Sequence, residues 1–199
     1  MPPHGAVGTY CQGDWYSDMS GERRVLYIAT CATPAAAHIG ELIHLAQQAG
    51  WTTCALATPN ALNFVDVPAL EKQTGYPVRS HYRRLDESSP FPPADAMIVA
   101  GASFNTMNKW ALGIADTLVL STVIEVVGRG VPVVALPFLN SALATHIAWQ
   151  RSVATLRQMG VTVLVSPDVY EPHPATASSD VLQNYPWHLA LEAVVRGIG

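Results

Sequence analysis

Two observations predict an α/β domain, a mostly parallel sheet held between layers of helices in a three-layer sandwich. Short runs that are apolar almost throughout, such as VLYIAT at Val25–Thr30 and AMIVA at Ala96–Ala100, alternate with longer segments of helical period. Strands of that kind are buried on both faces, as in a parallel sheet covered by crossover helices. The composition agrees: of 199 residues, 49% are hydrophobic and only 13% charged, which suits one domain with a substantial core.

The elements follow in order. Residues 1–20 lack an apolar stretch flanked by bases, so they read as a poorly ordered arm and not as a signal peptide; residues 21–199 read as a single domain. Val25–Thr30 is the first strand. Thr33–Pro34 offers a capping residue and a proline for a first helical position, Ile39, Leu42, Ile43 and Ala46 share one face, and Gly50 closes that helix. Trp51–Ala57 is the second strand. Residues from Asn60 to Gly75 look helical, with Pro68 as a break. Val78–Leu85 is short and mixed, and Ser88–Pro93 is a loop. Beyond the Ala96–Ala100 strand come helices over Phe104–Ala115 and Thr117–Val127 and a strand over Val131–Leu136. A long helix over Asn140–Met159, closed by Gly160, leads to a strand over Val161–Val165. Ser166–Asp180 is polar and proline-broken, a loop or flap, and Tyr185–Val195 is a closing helix.

In open parallel sheets, ligands bind beyond the carboxyl ends of the strands. The first exit, Thr30–Cys31–Ala32–Thr33–Pro34–Ala35, combines small residues and two hydroxyls at a helix start, where free N–H groups favour an anion such as a phosphate. Neither GxGxxG nor GxxxxGK[ST] is present, and an ordinary cap explains the stretch equally well. The second exit adds Thr58, Asn60, Asn63 and Phe64. The third is GASFNTMNK at Gly101–Lys109. There Asn105 and Asn108 share a stripe with Asp116 further round, and aligned amides suit the edge of a flat heterocycle. A capping serine with solvated amides is the plain alternative. At the fourth exit, Asn140 leads a helix and could cap it or hold a carboxylate.

Three segments carry a resemblance: Gly101–Ala102–Ser103–Phe104–Asn105–Thr106, then Gly113–Ile114–Ala115–Asp116–Thr117, then Pro137–Phe138–Leu139–Asn140. In order and spacing they resemble the hallmarks of the homo-oligomeric flavin-containing cysteine decarboxylases, a Rossmann-like flavoprotein family. The resemblance implies bound FMN. Its phosphate would lie near Thr30, Cys31, Thr33, Pro34 and Thr58, and its ring near Phe64, Ser103, Asn105 and Thr106, with Asp116 counted among the cofactor-binding residues. By the same carry-over His81 is the catalytic base and Asn140 binds the substrate carboxylate. The implied reaction is oxidative decarboxylation: two electrons pass from a cysteine CH–SH unit to the flavin, and the thioaldehyde then loses CO2 into an enethiol. The implied assembly is a homo-oligomer, a trimer or a multiple of trimers, with the flavin at a subunit contact.

Four departures bear on the substrate pocket. Gly101 stands for the family's proline, Thr117 for asparagine and Leu139 for methionine, and Ala142–Thr145 lacks the usual tryptophan. The flap at Ser166–Asp180 also lacks the cysteine of the phosphopantothenoylcysteine branch, which favours a peptide or secondary-metabolite cysteine as substrate. The competing expectations are a flavin-binding regulatory subunit without turnover and a prenylated-flavin synthase, although Val123–Arg129 lacks the charged run of the latter. Ser103 lies in no GxSxG elbow, so a serine hydrolase is disfavoured.

Composition narrows the partners. A net charge of −4 gives no electrostatic reason to expect nucleic acid. No apolar run approaches the roughly 20 residues that span a bilayer. Cys11, Cys31 and Cys54 form no CxxC pair, which fits a reducing, cytoplasmic setting, and the histidines show no metal-ligand spacing.

Overall fold

The computed structural model describes residues 24–84, 86–166, 171–174 and 178–198. The arm expected over residues 1–20 lies outside them. Five parallel strands, β1 (Val25–Thr30), β2 (Thr52–Ala57), β3 (Ala96–Ala102), β4 (Val133–Pro137) and β5 (Thr162–Val163), form one sheet in the order β2-β1-β3-β4-β5. The expectation of a mostly parallel sheet is met by one that is parallel throughout. Ile28 lies between Ala55 and Ile98 in register, and all three are buried, so the continuous apolar runs reflect burial on both sheet faces.

From β1 the chain steps to β2 through α1 (Ile39–Gln48), then reverses and proceeds outward through β3, β4 and β5. Right-handed crossovers therefore put α1 on one face, and α4 (Leu118–Gly128) and α6 (Ile147–Gln158) on the other. The closing helix α8 (Trp187–Ile198) packs beside α1 and against β3 and β4. Leu26, Ile28, Leu42, Met97, Met107, Leu120 and Leu136 are buried in one continuous core. Each such side chain contributes about 1.5–3 kcal/mol through burial. Reversal of direction between β1 and β3 leaves a crevice at their carboxyl ends.

Several elements differ from expectation, each for a local reason. Pro68 does not break a helix. The Asp66 carboxylate accepts from the Ala69 N–H, starting α2 at Val67–Thr74, so Pro68 falls in the first turn where its missing donor costs nothing. Ahead of it, Pro59–Asn63 forms a separate 3-10 turn, as does Pro34–His38 before α1. β3 runs two residues further than expected, through an irregularity at Gly101, whose φ is +66°. α3 stops at Phe104–Ala111 because Gly113 turns the chain at φ +70°, so Asp116 lies beyond the helix and not on a stripe with Asn105 and Asn108. The long helix expected over Asn140–Met159 is two, α5 (Ser141–Ala144) and α6, because His146 is extended and its Nδ1 accepts from the Ala148 N–H to start the second. The last strand is shortened to Thr162–Val163. The flap ends in a short helix, α7 (Ser178–Gln183), and residues 167–170 and 175–177 of it lie outside the described residues.

Candidate functional site

The crevice between the ends of β1 and β3 is built from small polar residues. Ser103 caps α3: its Oγ accepts from the Thr106 N–H at 3.2 Å and donates to Thr106 Oγ1 at 3.0 Å. The Cys31 thiol lies within hydrogen-bonding reach of the same two residues, yet burial dominates and holds its pKa above the ordinary value. The site therefore contains a neutral thiol and not a nucleophilic thiolate. Thr33 is no side-chain cap. It is buried, and its Oγ1 donates to the Gly101 carbonyl at 3.1 Å, clasping the β1 exit to the β3 exit.

Gly101 is held from its other side as well. Its N–H donates to the buried Tyr185 hydroxyl, which lies 2.9 Å from the carbonyls of Leu136 and Pro137. A Cβ at Gly101 would stand 2.8 Å from Thr33 Oγ1 and 3.2 Å from Ala35 Cβ, so no side chain has room in this arrangement. Glycine at this position is thus matched by the packing around it.

A cleft of about 250 Å³ opens above this floor, lined by Thr58, Asn60, Ser103, Asn105, Thr106 and Thr117, with Lys109 as its cation. Lys109 is ion-paired with Asp116, which ties the end of α3 to the start of α4. The structure thus brings together Thr58, Ser103, Asn105 and Thr106, with Cys31 and Thr33 beneath them and Asp116 acting through Lys109. Asn108, aligned with Asn105 in the sequence reading, instead accepts from Ser152 Oγ at 2.6 Å and serves packing between α3 and α6.

Other expected site residues lie apart. Pro34 and Phe64 are exposed and do not line the cleft. Thr30 is buried with its Oγ1 unpartnered, close to Gly101. His81 sits on the exposed segment after the Leu56–Arg79 bridge, with Nδ1 2.8 Å from Ser80 Oγ, outside the cleft. The Asn140 Oδ1 caps α5 through the Leu143 N–H, and its backbone bridges to His173. Thr117, Lys109 and Tyr185 belong to the site or its floor and were not singled out as site residues from the sequence. Tyr185 had no local signal, since it acts 84 residues away in the chain.

A model of the family described as Flavoprotein matches residues 15–183. The chain belongs to the Flavoprotein family. Among curated proteins, a probable phosphopantothenoylcysteine decarboxylase of Arabidopsis thaliana is 28% identical over 123 residues, 55% of this chain and 58% of that protein. This flavoprotein thus spans somewhat over half the length of that relative. Among solved structures, the FMN-dependent cysteine decarboxylase TvaF of thioviridamide biosynthesis matches with TM-score 0.64 and 21% identity, covering 87% of this chain and 99% of its own. The FMN binding protein AtHal3 matches with TM-score 0.61 and 18% identity, covering 82% and 95%. The fold is theirs, and the likeness to the flavin-containing cysteine decarboxylases drawn from the three motifs holds.

The donor set fits a flavin. Hydroxyls and amides supply neutral hydrogen bonds for a heterocycle edge, while Thr58, free of any side-chain capping bond, and the orphaned Thr30 hydroxyl stand at the β1 side where a phosphate would lie. Among the described residues, no helix is long and apolar enough to cross a membrane, and no three His, Cys, Asp or Glu side chains gather as metal ligands.

Proposed function

We propose that this flavoprotein binds FMN and catalyses the oxidative decarboxylation of a cysteine-type carboxylate, giving an enethiol. The favoured substrate is the C-terminal cysteine of a peptide or of a secondary-metabolite precursor. The observation that carries the reading is the hydroxyl- and amide-lined cleft at the crevice between β1 and β3, its one lining cation neutralised by the Lys109–Asp116 pair, in a chain of this family.

When bound, FMN supplies the acceptor for two electrons from the cysteine CH–SH unit. The chain's own residues orient and move protons. Ser103, Asn105 and Thr106 hold the ring edge without adding a charge, and Thr58 with the Thr30–Thr33 turn holds the phosphate. His81 takes the proton as general base. Asn140, whose Oδ1 is engaged as a cap, keeps its side-chain NH2 to donate to the substrate carboxylate. Loss of CO2 then leaves its bonding pair to the thiocarbonyl sulfur.

A cleft of about 250 Å³ is smaller than the ~300–1,000 Å³ of complete small-molecule sites, and His81 lies outside it. A homo-oligomer, a trimer or a multiple of trimers, in which a neighbouring copy closes the cleft, accounts for both. Leu112, Ile114, Leu143 and Ile147 are exposed and available for such a contact.

The test is the visible spectrum of the purified protein, identification of any released chromophore, and CO2 release from cysteine-ended peptides. Oxidised-flavin bands, FMN on denaturation and CO2 release that His81→Asn abolishes while keeping FMN are the expected results. FMN without turnover on any cysteine carboxylate would instead match a binding role like the one named for AtHal3. A colourless protein that takes up no FMN would remove the reading.

A further inference from the structure

A second cleft, about 460 Å³, lies between α4 and the residues Arg79, Tyr82, Arg83, Arg84, Ser89 and Phe91, with Tyr27 and Leu56 on its floor. We propose that it is a binding site for a small organic anion, a carboxylate or phosphate carried on an aromatic or apolar body.

The charge distribution comes first. Arg79, Arg83, Arg84 and Arg129 all line this cleft, against one carboxylate, Glu125. The chain has only 11 Lys and Arg residues and a net charge of −4, so more than a third of its fixed cations face one concavity. Four like charges around low-dielectric walls repel one another and raise the local concentration of anions.

The four arginines are not equivalent. Arg83 donates to the Glu87 carbonyl and Arg84 pairs with Asp86 at 3.4 Å, in exposed surroundings where such contacts contribute little. Arg79 and Arg129 make neither an ion pair nor a side-chain hydrogen bond with any described residue. Arg79 is half-buried, with its guanidinium 5.8 Å from the centre of the Phe91 ring. Arg129 follows Glu125 by four residues on a helix end, the order that favours pairing, and no ion pair joins them. A half-buried guanidinium with its donor fork unmatched is best satisfied by a planar or tetrahedral oxyanion.

The walls define the rest of the ligand. Tyr27, Tyr82 and Phe91 give aromatic surface, and Thr122 adds a hydroxyl. The Tyr27 hydroxyl already donates to the Pro92 carbonyl at 2.7 Å, so it offers a ring face and not a donor. The volume falls in the range of small-ligand pockets. None of the four arginines lines the neutral cleft, so the proposal stands apart from the flavin reading. Residues of α4 line both clefts, and just before its start the Tyr82 hydroxyl lies 3.2 Å from the carbonyls of Ala115 and Thr117.

The experiment is calorimetric titration of the purified protein with 1-naphthyl phosphate, 1-naphthoate and neutral 1-naphthol, with no free FMN added, since FMN is itself an aromatic phosphate that the arginine cleft would accept. At least one anionic probe should bind at least about tenfold more tightly than 1-naphthol, and whichever anion binds better distinguishes phosphate from carboxylate. Arg79→Gln and Arg129→Gln should each weaken that binding by about tenfold. Arg129 stands on an exposed helix end, so its variant decides the matter even if Arg79→Gln does not fold. Equal affinity for 1-naphthol, unchanged affinity in both variants, or no binding of either anion at millimolar concentration would overturn the proposal. Loss of binding in Lys109→Gln with none in the arginine variants would place the probe in the neutral cleft and overturn it equally.

Discussion

The neutral cleft and the arginine cleft flank the same helix, α4, and differ in how far their polar groups are already engaged. Around the first, the floor is already bonded: Thr33 to Gly101 and Gly101 to Tyr185 across elements, and Ser103 to Thr106 within the first turn of α3. Around the second, Arg79 and Arg129 are left open. A seat whose hydrogen bonds cross between strands is rigid before any ligand arrives, which lowers the entropy lost on binding. A cleft holding unmatched cations selects by charge first and shape second. The difference predicts that damage to the first is felt as lost stability, and damage to the second as lost binding.

The largest effect should follow from Gly101→Val. The left-handed φ is unfavourable to a β-branched residue, and its Cβ would meet Thr33 Oγ1 at 2.8 Å. Together these should cost about 3 kcal/mol, read as a lower urea midpoint with loss of FMN retention. An unchanged midpoint would mean that the two strand exits are not locked together. Tyr185→Phe should come next, at about 1–3 kcal/mol, because it leaves the Gly101 N–H and a carbonyl of β4 without their buried partner. Flavin uptake should weaken with it. A variant as stable as the parent would show that this floor is not held from below.

Much of this contrast was open to reading along the chain, and some was not. The strands were legible because VLYIAT, AMIVA and VPVVAL are apolar almost throughout, and the β3 exit because Ser103 stands where a cap is needed. What failed depended on single side chains choosing among local partners. Asp66 turned Pro68 from a helix breaker into a first-turn residue, and His146 divided a helix whose periodicity runs on without interruption. Two parts of the sites had no local signature at all. Tyr185 reaches a glycine 84 positions away, and Arg79 and Arg129, 50 residues apart in sequence, share a cleft only through the tertiary fold.

A smaller effect, confined to alkaline pH, should sharpen the view of the second cleft. Burial pushes the Tyr27 phenol from 10.0 up to about 12, with a further rise from Cys54 and an opposing pull from Arg79 and Arg129. Because the folded state retains this proton where the unfolded chain has released it, the contribution is complete below pH 10 and is lost as pH rises toward 12. Cys54, pushed from 9.0 to about 12 by burial, acts with the same sign from pH 9 upward. Urea midpoints between pH 9 and 12 should therefore fall less steeply in Tyr27→Phe than in the parent. Identical slopes would put the phenol in water and not on a cleft floor.

The smallest effect on stability should belong to Arg129→Gln, and that smallness is informative. An exposed arginine without an ion pair lies outside every mechanism of large destabilisation, so its loss should change the unfolding free energy by less than about 0.5 kcal/mol. Removing one of four mutually repelling cations could even stabilise the free protein slightly. A loss above about 1 kcal/mol would assign Arg129 to holding the end of α4, and the arginine cleft would then resemble the neutral one in having its polar groups already engaged. Near-neutral stability, set beside a tenfold loss of anion binding, would identify a side chain kept in place for a ligand.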